Sequence, residues 1–567
     1  MSSADPDIQT ATAGVRVVEA FERLGVEVVF GLPGVHNLAI WKALSQSAIR
    51  LVGVRHEQAA VYAADGYARA TGRLGVAVVT TGPGAANTLG ATGEAMASGS
   101  PVLVIATDIP AAIRRPNTYR GSLHETRDQT AMFAPVTKAA DVVAGAGEVA
   151  GAVIAGAHAA LAAPTGPVYV GIPTDLLRRA APELPELPGQ AAPAPAPPPF
   201  DGSGLDAAAR LIEGAERPLI WAGGGAARAG AGPAVAALAD RLGAPVLTTY
   251  MSRGLLDPSH PWLVAGPAHA PEVGALWDEA DLVIGIGTDF DGVMTQNWLM
   301  PQPPRLVCVN VDPADATKNY AADVVLVGDA LEVTERLAAR VAPREGTERR
   351  SARLAQIGAE VRAAVLADDP DAASFLDIMQ RALPPEAVVV ADMCIPGYWL
   401  AGYHKVPRPR GLAYPMGWGT LGFAFPASMG AALAQRGPAV CVCGDGGFLF
   451  ACGELATVAE AELPLTVVLV DDGGYGMLRF DQELAGDEPF GVDLIGPDFE
   501  ALARSFGVDA VTVDGIGPAL EDALSRAVAT PRPTVIVVRA RLKPPPTTSP
   551  RWYRVSGASS AARRSAR

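Results

Sequence analysis

Cysteine is scarce in this sequence, which contains five among 567 residues. They are Cys308, Cys394, Cys441, Cys443 and Cys452, and no two of them form a CxxC pair. This spacing argues against a disulfide framework and against a thiolate zinc site of the usual pattern. It predicts buried thiols in a protein of a reducing compartment.

The sequence also lacks an apolar run of the roughly 20 residues that a membrane-spanning helix needs. Residues 1–11 have neither a basic start nor an apolar core, so no secretory signal is predicted. Positive charge is in deficit, since 45 Lys and Arg face 60 Asp and Glu and leave a net charge of −15. These deficits predict a cytoplasmic protein without nucleic-acid or membrane partners.

Short apolar runs alternate with helical patterns along three stretches of the chain, which indicates buried parallel strands joined by helices. The predicted fold class is α/β, with three doubly wound parallel-sheet domains at residues 1–182, 200–342 and 370–545. Proline and alanine dominate residues 182–199 and predict an extended linker, while residues 546–567 predict a mobile tail. The predicted strands are 26–30, 76–80, 102–106, 218–222, 282–286, 306–311, 387–390, 440–443, 466–470 and 535–538.

Two of the predicted strands in the third domain end in acidic, glycine-rich turns. Gly444-Asp445-Gly446 closes one apolar run, and about two dozen residues later Asp471-Asp472-Gly473-Gly474 closes the next. Because the carboxyl ends of parallel strands meet at the ligand-binding edge of a sheet, the two turns are expected to be neighbours. Carboxylates beside glycines, which allow close approach of the backbone, suit a hard cation that bridges to phosphate.

This pattern resembles the thiamine diphosphate (ThDP) signature, Gly-Asp-Gly followed by Asn-Asn, with Asp471-Asp472 in place of the two asparagines. In the first domain, Arg55-His56-Glu57-Gln58, Asp65-Gly66-Tyr67-Ala68-Arg69 and Gly82-Pro83-Gly84-Ala85-Ala86-Asn87 resemble the acetolactate synthase and 2-oxo acid decarboxylase family. Taken alone, Glu57 would be interpreted as a first-turn acid that suits the helix dipole. The resemblance covers residues 13–545 and implies a pyrimidine-binding, a central and a diphosphate-binding domain.

The resemblance implies a role for each part of the site. Asp445, Asp472 and the carbonyl oxygen of Gly474 would bind Mg2+, and Glu57 of the partner subunit would stabilise the imino tautomer of the cofactor. Leu421 would bend the cofactor, and a homodimer or homotetramer is therefore expected. The implied cofactor-binding residues are Glu57, Gly419, Leu421, Gly444, Asp445, Gly446, Gly447, Asp472, Gly474, Tyr475, Gly476 and Met477.

The implied reaction is ThDP- and Mg2+-dependent decarboxylation of a 2-oxo acid through a C2-bound carbanion or enamine. The enzyme would then release an aldehyde, as a lyase, or join the carbanion to a second carbonyl, as a transferase like acetolactate synthase. One alternative is a non-catalytic ThDP-binding paralogue that serves as an assembly subunit. Another is a ThDP- and FAD-dependent oxidase, and the glycine run 223–225 with Asp312 keeps FAD as a candidate, although 289–293 lacks the arginine of acetolactate synthases.

Substrate choice is expected to differ from that of acetolactate synthases. Residues 120–125 replace their Phe-Gln-Glu segment, and Asp481 stands where they have a tryptophan that favours 2-oxobutyrate. The segments 31–36 and 123–125 resemble decarboxylases of larger 2-oxo acids, such as the guanidino-oxopentanoate enzyme. His36 and His124 are candidate proton relays that join Glu57 and Leu421 in the predicted catalytic set. The predicted substrate pocket comprises Val35, His36, Ser122, His124, Met477, Arg479, which is a candidate partner for a carboxylate, and Phe480.

Overall fold

The computed structural model describes residues 11–115, 118–184, 196–197 and 199–545. The predicted tail and most of the predicted linker therefore lie outside the described residues. Within the described part there are three parallel sheets flanked by helices, so the predicted class of three doubly wound α/β domains is confirmed. None of the helices in these ranges is both long and apolar enough to cross a bilayer.

The first sheet has the strand order β2-β1-β3-β4-β6-β5, with every described pair parallel. The order reverses between β1 and β3, and ligands bind at the carboxyl ends of strands that flank such a reversal. Its strands are β1 (Val28–Gly31), β2 (Arg50–Gly53), β3 (Gly75–Val79), β4 (Val102–Asp108), β5 (Ala139–Val142) and β6 (Val168–Pro173). Its helices are α1 (Ala13–Arg23), α2 (Leu38–Leu44), α3 (Glu57–Thr71), α4 (Pro83–Ala86), α5 (Leu89–Ala97), α6 (Gln129–Phe133) and α7 (Val149–Leu161).

The central sheet has the order β11-β10-β9-β7-β8 and is also parallel. Its strands are β7 (Pro218–Ala222), β8 (Val246–Thr248), β9 (Leu282–Ile286), β10 (Leu306–Asn310) and β11 (Val324–Val327). Its helices are α8 (Leu205–Glu213), α9 (Gly224–Arg228), α10 (Gly232–Leu242), α11 (Pro271–Glu279), α12 (Pro313–Thr317) and α13 (Ala330–Arg340). The helix α14 (Glu348–Asp368) follows and leads to the third domain.

The third sheet has the order β13-β12-β14-β15-β17-β16, which repeats the order of the first sheet when the strands are counted within each domain. Its strands are β12 (Val388–Ala391), β13 (Leu412–Ala413), β14 (Ala439–Gly444), β15 (Leu465–Asp471), β16 (Asp509–Asp514) and β17 (Thr534–Arg539). Its helices are α15 (Pro370–Ala382), α16 (Ile395–Tyr403), α17 (Ala424–Ala432), α18 (Asp445–Phe448), α19 (Leu455–Glu460), α20 (Gly476–Ala485), α21 (Phe499–Ser505) and α22 (Pro518–Val528).

Helices α3 and α17 join the first domain to the third. A Cβ atom at Gly66 would lie 1.9 Å from the carbonyl oxygen of Ala427, and one at Gly430 would lie 1.9 Å from that of Ala63. The two helices therefore pack backbone against backbone, which only glycine permits at these two positions. The alanine-rich sequence of α3 follows from this packing, because the helix is buried nearly all round.

Candidate active site

The third sheet brings three carboxylates to one edge. Strands β12, β14 and β15 are neighbours, and Asp392, Asp445 and Asp472 follow their carboxyl ends. Both oxygens of Asp445 and Oδ1 of Asp472 are buried and accept no hydrogen bond of ordinary geometry. Burial, and secondly the charges of Asp472 and Asp471, raise the pKa of Asp445 to about 7. Unpaired buried carboxylates are costly, and a bound divalent cation is the usual way in which that cost is offset.

The backbone of the second acidic turn is shaped for close approach. Gly473 and Gly474 have φ angles of 80° and 149°, which disfavour other residues. A Cβ atom at Gly476 would lie 2.0 Å from Oδ2 of Asp472, and one at Gly446 would lie 2.8 Å from the ring of Tyr475. The turn thus lies directly against the Gly444-Asp445-Gly446 segment, and the residues fit a Mg2+ ion held by two carboxylates and a backbone carbonyl.

Two arginines lie against the same turn. The Nη2 group of Arg479 donates to the carbonyl oxygen of Gly473 at 3.1 Å, and Nε of Arg541 donates to that of Asp472 at 3.1 Å. Burial raises the pKa of Asp472, while the charges of Arg479 and Arg541 act in the opposite direction. Arg479 also pairs with Asp493 at 2.7 Å. Its predicted contact with a substrate carboxylate stays a prediction.

Glu57 lies at the start of α3, in the first domain. Its side chain is nearly buried, and Oε2 accepts a hydrogen bond from Nδ2 of Asn87 at 2.9 Å. A Cβ atom at Gly84 would lie 3.3 Å from Oε1 of Glu57, so the glycine leaves room beside this carboxylate. The Gly-Pro-Gly motif and its asparagine therefore orient the predicted catalytic acid.

The two predicted catalytic histidines are neighbours. The rings of His36 and His124 lie 5.2 Å apart in an edge-to-face arrangement, and Nδ1 of His36 is 2.7 Å from the hydroxyl of Thr81. Because His36 follows β1 and Thr81 follows β3, these two residues lie at the crevice where the strand order reverses. Burial, and secondly the neighbouring His124, lowers the pKa of His36. His124 has a φ of 65°, a conformation that is strained for histidine and common at functional sites.

The other predicted residues fall into two groups, one in each of these domains. In the first domain, Val35 is exposed, and the backbone N–H of Ser122 donates to Glu125 at 2.8 Å. In the third domain, Gly447 lies against Asp392, since a Cβ atom there would be 2.5 Å from Oδ2 of that aspartate. The half-buried members of the third-domain group are Gly419, Leu421, Met477 and Phe480.

Three residues beside the site were not predicted from the sequence, namely Asn87, Glu94 and Asp392. Asn87 belongs to a recognised motif, but no role was predicted for it. Asp392 closes the apolar run of β12 just as Asp445 closes that of β14, so the strand-end rule offered a signal. Glu94 is fully buried and is the one charged residue of α5, which is a weak signal by itself.

Family models match the chain in all three domains. They are the thiamine pyrophosphate enzyme N-terminal TPP binding domain over residues 11–132, the central domain over 205–337 and the C-terminal TPP binding domain over 393–538. The chain belongs to the thiamine pyrophosphate enzyme family, and the prediction of a ThDP-dependent enzyme is confirmed.

Several relatives match over most of their length. A protein of Pseudomonas aeruginosa named probable 2-ketoarginine decarboxylase is 39% identical over 515 residues, which cover 88% of this chain and 89% of the relative. The acetolactate synthase large subunit of Parasynechococcus marenigrum is 35% identical over 94% of this chain and 88% of its own. The acetolactate synthase of Mycobacterium bovis is 32% identical over 88% and 83%.

Proposed function

We propose that this enzyme decarboxylates a 2-oxo acid with ThDP that is held through Mg2+ by Asp445 and Asp472. The observation that carries the proposal is the set of three buried carboxylate oxygens without hydrogen bonds, at the ligand edge of a TPP-binding domain. Bound ThDP supplies the electron sink for loss of CO2. The carbonyl oxygen of Gly474 would complete the protein ligands, and the diphosphate would supply further oxygens.

The first domain supplies the groups that move protons. Asn87 holds the Glu57 carboxylate by a hydrogen bond, which fixes the direction of its second oxygen. His36, held by Thr81 and neutral near pH 7 because its pKa is lowered, accepts or donates a proton together with His124. These groups and the acidic turn at residues 471–474 belong to different domains, and we infer that they meet across the interface of a homodimer. The exposed apolar side chains Val35 and Leu123, at the predicted pocket, support an uncovered face.

The substrate is inferred to carry a cationic end. Asp481 lies one helical turn after Met477 in α20, and its Oδ1 is buried without a hydrogen bond. A carboxylate of this kind pairs with a guanidinium group in charge-assisted hydrogen bonds. The name of the Pseudomonas aeruginosa relative, probable 2-ketoarginine decarboxylase, agrees with that chemistry.

The test measures CO2 release with ThDP and Mg2+ from 2-oxo-5-guanidinopentanoate, from neutral 2-oxohexanoate and from pyruvate. We expect the guanidino acid to be preferred, and Asp481→Asn to lower its kcat/KM by about tenfold to hundredfold with little effect on the neutral acid. Glu483→Gln removes an exposed charge from the same helix and is the control. Absence of CO2 release from all three acids rejects the decarboxylase. A preference for pyruvate with acetolactate as product would favour the acetolactate synthase-like reaction.

FAD binding by the central domain stays a prediction. A Cβ atom at Gly223 would lie 2.4 Å from the carbonyl oxygen of Gly287, and one at Gly225 would lie 2.8 Å from its Cα, so close packing accounts for this glycine run. Asp312 caps α12 through the N–H of Ala314 at 2.8 Å. The visible absorption spectrum of the purified protein tests for flavin. Cytoplasmic location likewise stays a prediction.

A further inference from the structure

The segment that carries Leu421 is bound at its end by a buried aspartate. This segment, residues 417–423, lies between β13 and α17. Asp392 is fully buried and accepts hydrogen bonds from the backbone N–H groups of Gly422, at 3.0 Å, and Phe423, at 3.3 Å. Both donors come directly after Leu421, so Asp392 fixes the position at which the chain leaves that residue.

A second buried carboxylate, from the other domain, binds the residues before Leu421. Oε2 of Glu94, in α5, accepts hydrogen bonds from the backbone N–H of Trp418 at 3.1 Å and from the hydroxyl of Thr420 at 3.4 Å. The ring of Trp418 lies on α5 as well, because a Cβ atom at Gly93 would be 2.4 Å from it. Glu94, by hydrogen bonds, and Gly93, by packing, therefore anchor the segment to the first domain of the same chain.

The other oxygen of Glu94 is occupied by donors from the first domain. Oε1 accepts from Nη2 of Arg69 at 3.0 Å and from the hydroxyl of Ser98 at 2.8 Å. Arg69 is itself locked by two hydrogen bonds to Asp65, at 2.8 and 2.7 Å. The Glu94 carboxylate is therefore held rigidly from one side and holds the Leu421 segment with the other.

The segment needs such anchors because its own backbone is permissive. Gly419 and Gly422 have φ angles of 67° and 78°, so glycine hinges lie on both sides of Thr420 and Leu421. We propose that Glu94 and Asp392 are positioning residues that fix where Leu421 lies in the site. This inference rests on the proposed function and on the role that the family resemblance implies for Leu421, which is to bend ThDP into its reactive shape. A displacement of about 1 Å is enough to slow such a reaction.

Glu94→Gln tests the anchor without changing side-chain size. A glutamine has one carbonyl oxygen, and the charge of Arg69 keeps that oxygen on its own side. The amide NH2 group then faces the N–H of Trp418, so that hydrogen bond is lost, whereas the Thr420 hydroxyl can rotate and accept from the amide. Ser98→Ala is the matched control, because it removes one hydrogen bond to Glu94 and leaves the segment untouched.

Three quantities are measured on the full-length protein without substrate. They are the ThDP affinity of the cofactor-free form by calorimetry, the melting temperature, and the rate at which the C2 proton of bound ThDP in the holoenzyme exchanges with deuterium. For Glu94→Gln we expect about a tenfold or greater fall in exchange rate, because the Trp418 N–H loses its charged acceptor and faces another donor, with ThDP affinity within about threefold of the wild type. Asp392→Asn is expected to act in the same direction. Ser98→Ala is expected to leave exchange and affinity unchanged.

Normal exchange in a folded Glu94→Gln protein overturns the inference, and so does an equal fall in Ser98→Ala. Should Glu94→Gln not fold, Thr420→Val removes one donor while keeping the ion pair between Glu94 and Arg69, and a fall of about threefold or more is then required. Failure of the wild-type protein to bind ThDP or to exchange the proton would instead reject the proposed function. The two failures are thus distinguishable.

Discussion

Replacing Asp472 by asparagine removes the negative charge of this side chain and keeps its size and shape. Two unit charges about 4 Å apart interact by about 4 kcal/mol at an effective dielectric of 20, and the attraction of a divalent ion to one carboxylate is about twice as large. This attraction is an upper bound on the loss in binding free energy. The actual loss is smaller because asparagine still offers an oxygen and because Arg479 and Arg541 already offset part of the Asp472 charge. We expect Asp472→Asn to weaken Mg2+ binding to the cofactor-free protein by about tenfold to hundredfold, or 1.4 to 2.8 kcal/mol.

The same charge acts in the opposite direction on the cofactor. The diphosphate of ThDP repels Asp472, so the loss in Mg2+ affinity is expected to shrink once ThDP is bound. ThDP should then improve Mg2+ binding more in the variant than in the wild type, by the reciprocity of linked equilibria. Titration calorimetry of Mg2+ with and without saturating ThDP measures both affinities and their coupling.

Asp471→Asn is the matched control for this experiment. It removes a charge that also raises the pKa of Asp445 but does not belong to the proposed ligand set. We expect a loss in Mg2+ affinity of about threefold or less, as befits a neighbouring charge that the metal does not touch. Equal losses for Asp471→Asn and Asp472→Asn, or unchanged binding in both, would refute the assignment of Asp472 as a metal ligand.

Three further predictions concern packing, pH and orientation. Gly66→Ala places a Cβ atom 1.9 Å from a backbone oxygen and should lower the free energy of unfolding by about 3 kcal/mol or more. Gly90→Ala, whose added Cβ has its nearest neighbour at 3.7 Å, should leave that free energy unchanged or raise it by up to about 1 kcal/mol. Equal melting temperatures of the two variants would contradict this. Burial, and secondly a nearby arginine, lowers the pKa of His404 from 6.5 to about 4. The stability that neutral His404 contributes is therefore fully present above pH 6.5, and about 3 kcal/mol of it is lost as the pH falls to 4. His404→Gln should flatten that part of the pH dependence of the denaturation midpoint, and an unchanged slope would count against it. Asn87→Ala removes the hydrogen bond to Glu57 and should lower kcat by about tenfold in a CO2-release assay, while an unchanged kcat would show that this orientation is not needed.

The sequence was most informative where a structural element is buried and continuous. The predicted strands 218–222 and 282–286 coincide with β7 and β9, because central parallel strands are buried on both faces and form unbroken apolar runs. The edge strands β2, β5 and β16 were not predicted, since one side of each is exposed and carries polar residues. Burial was not the whole signal, because β6 and β8 are buried along their length and were not predicted either.

The site divides in a similar way. Asp445 and Asp472 were predicted because their turns are short, local patterns in the sequence. Glu94 was not, because its role depends on a hydrogen bond to Trp418, which is 324 positions away. A buried acid in a small-residue helix has no local signature, and only the packing of the first domain on the third brings the Leu421 segment to its second oxygen.

The strand order shared by the first and third sheets gives the chain two equivalent crevices among the described strands. Each lies at the carboxyl ends of the first and third strands of its sheet, where the order reverses and ligands bind. His36 and Thr81 follow those strands in the first sheet, and Asp392 and Asp445 follow them in the third. The same topological position therefore presents imidazole and hydroxyl groups in one domain and carboxylates in the other.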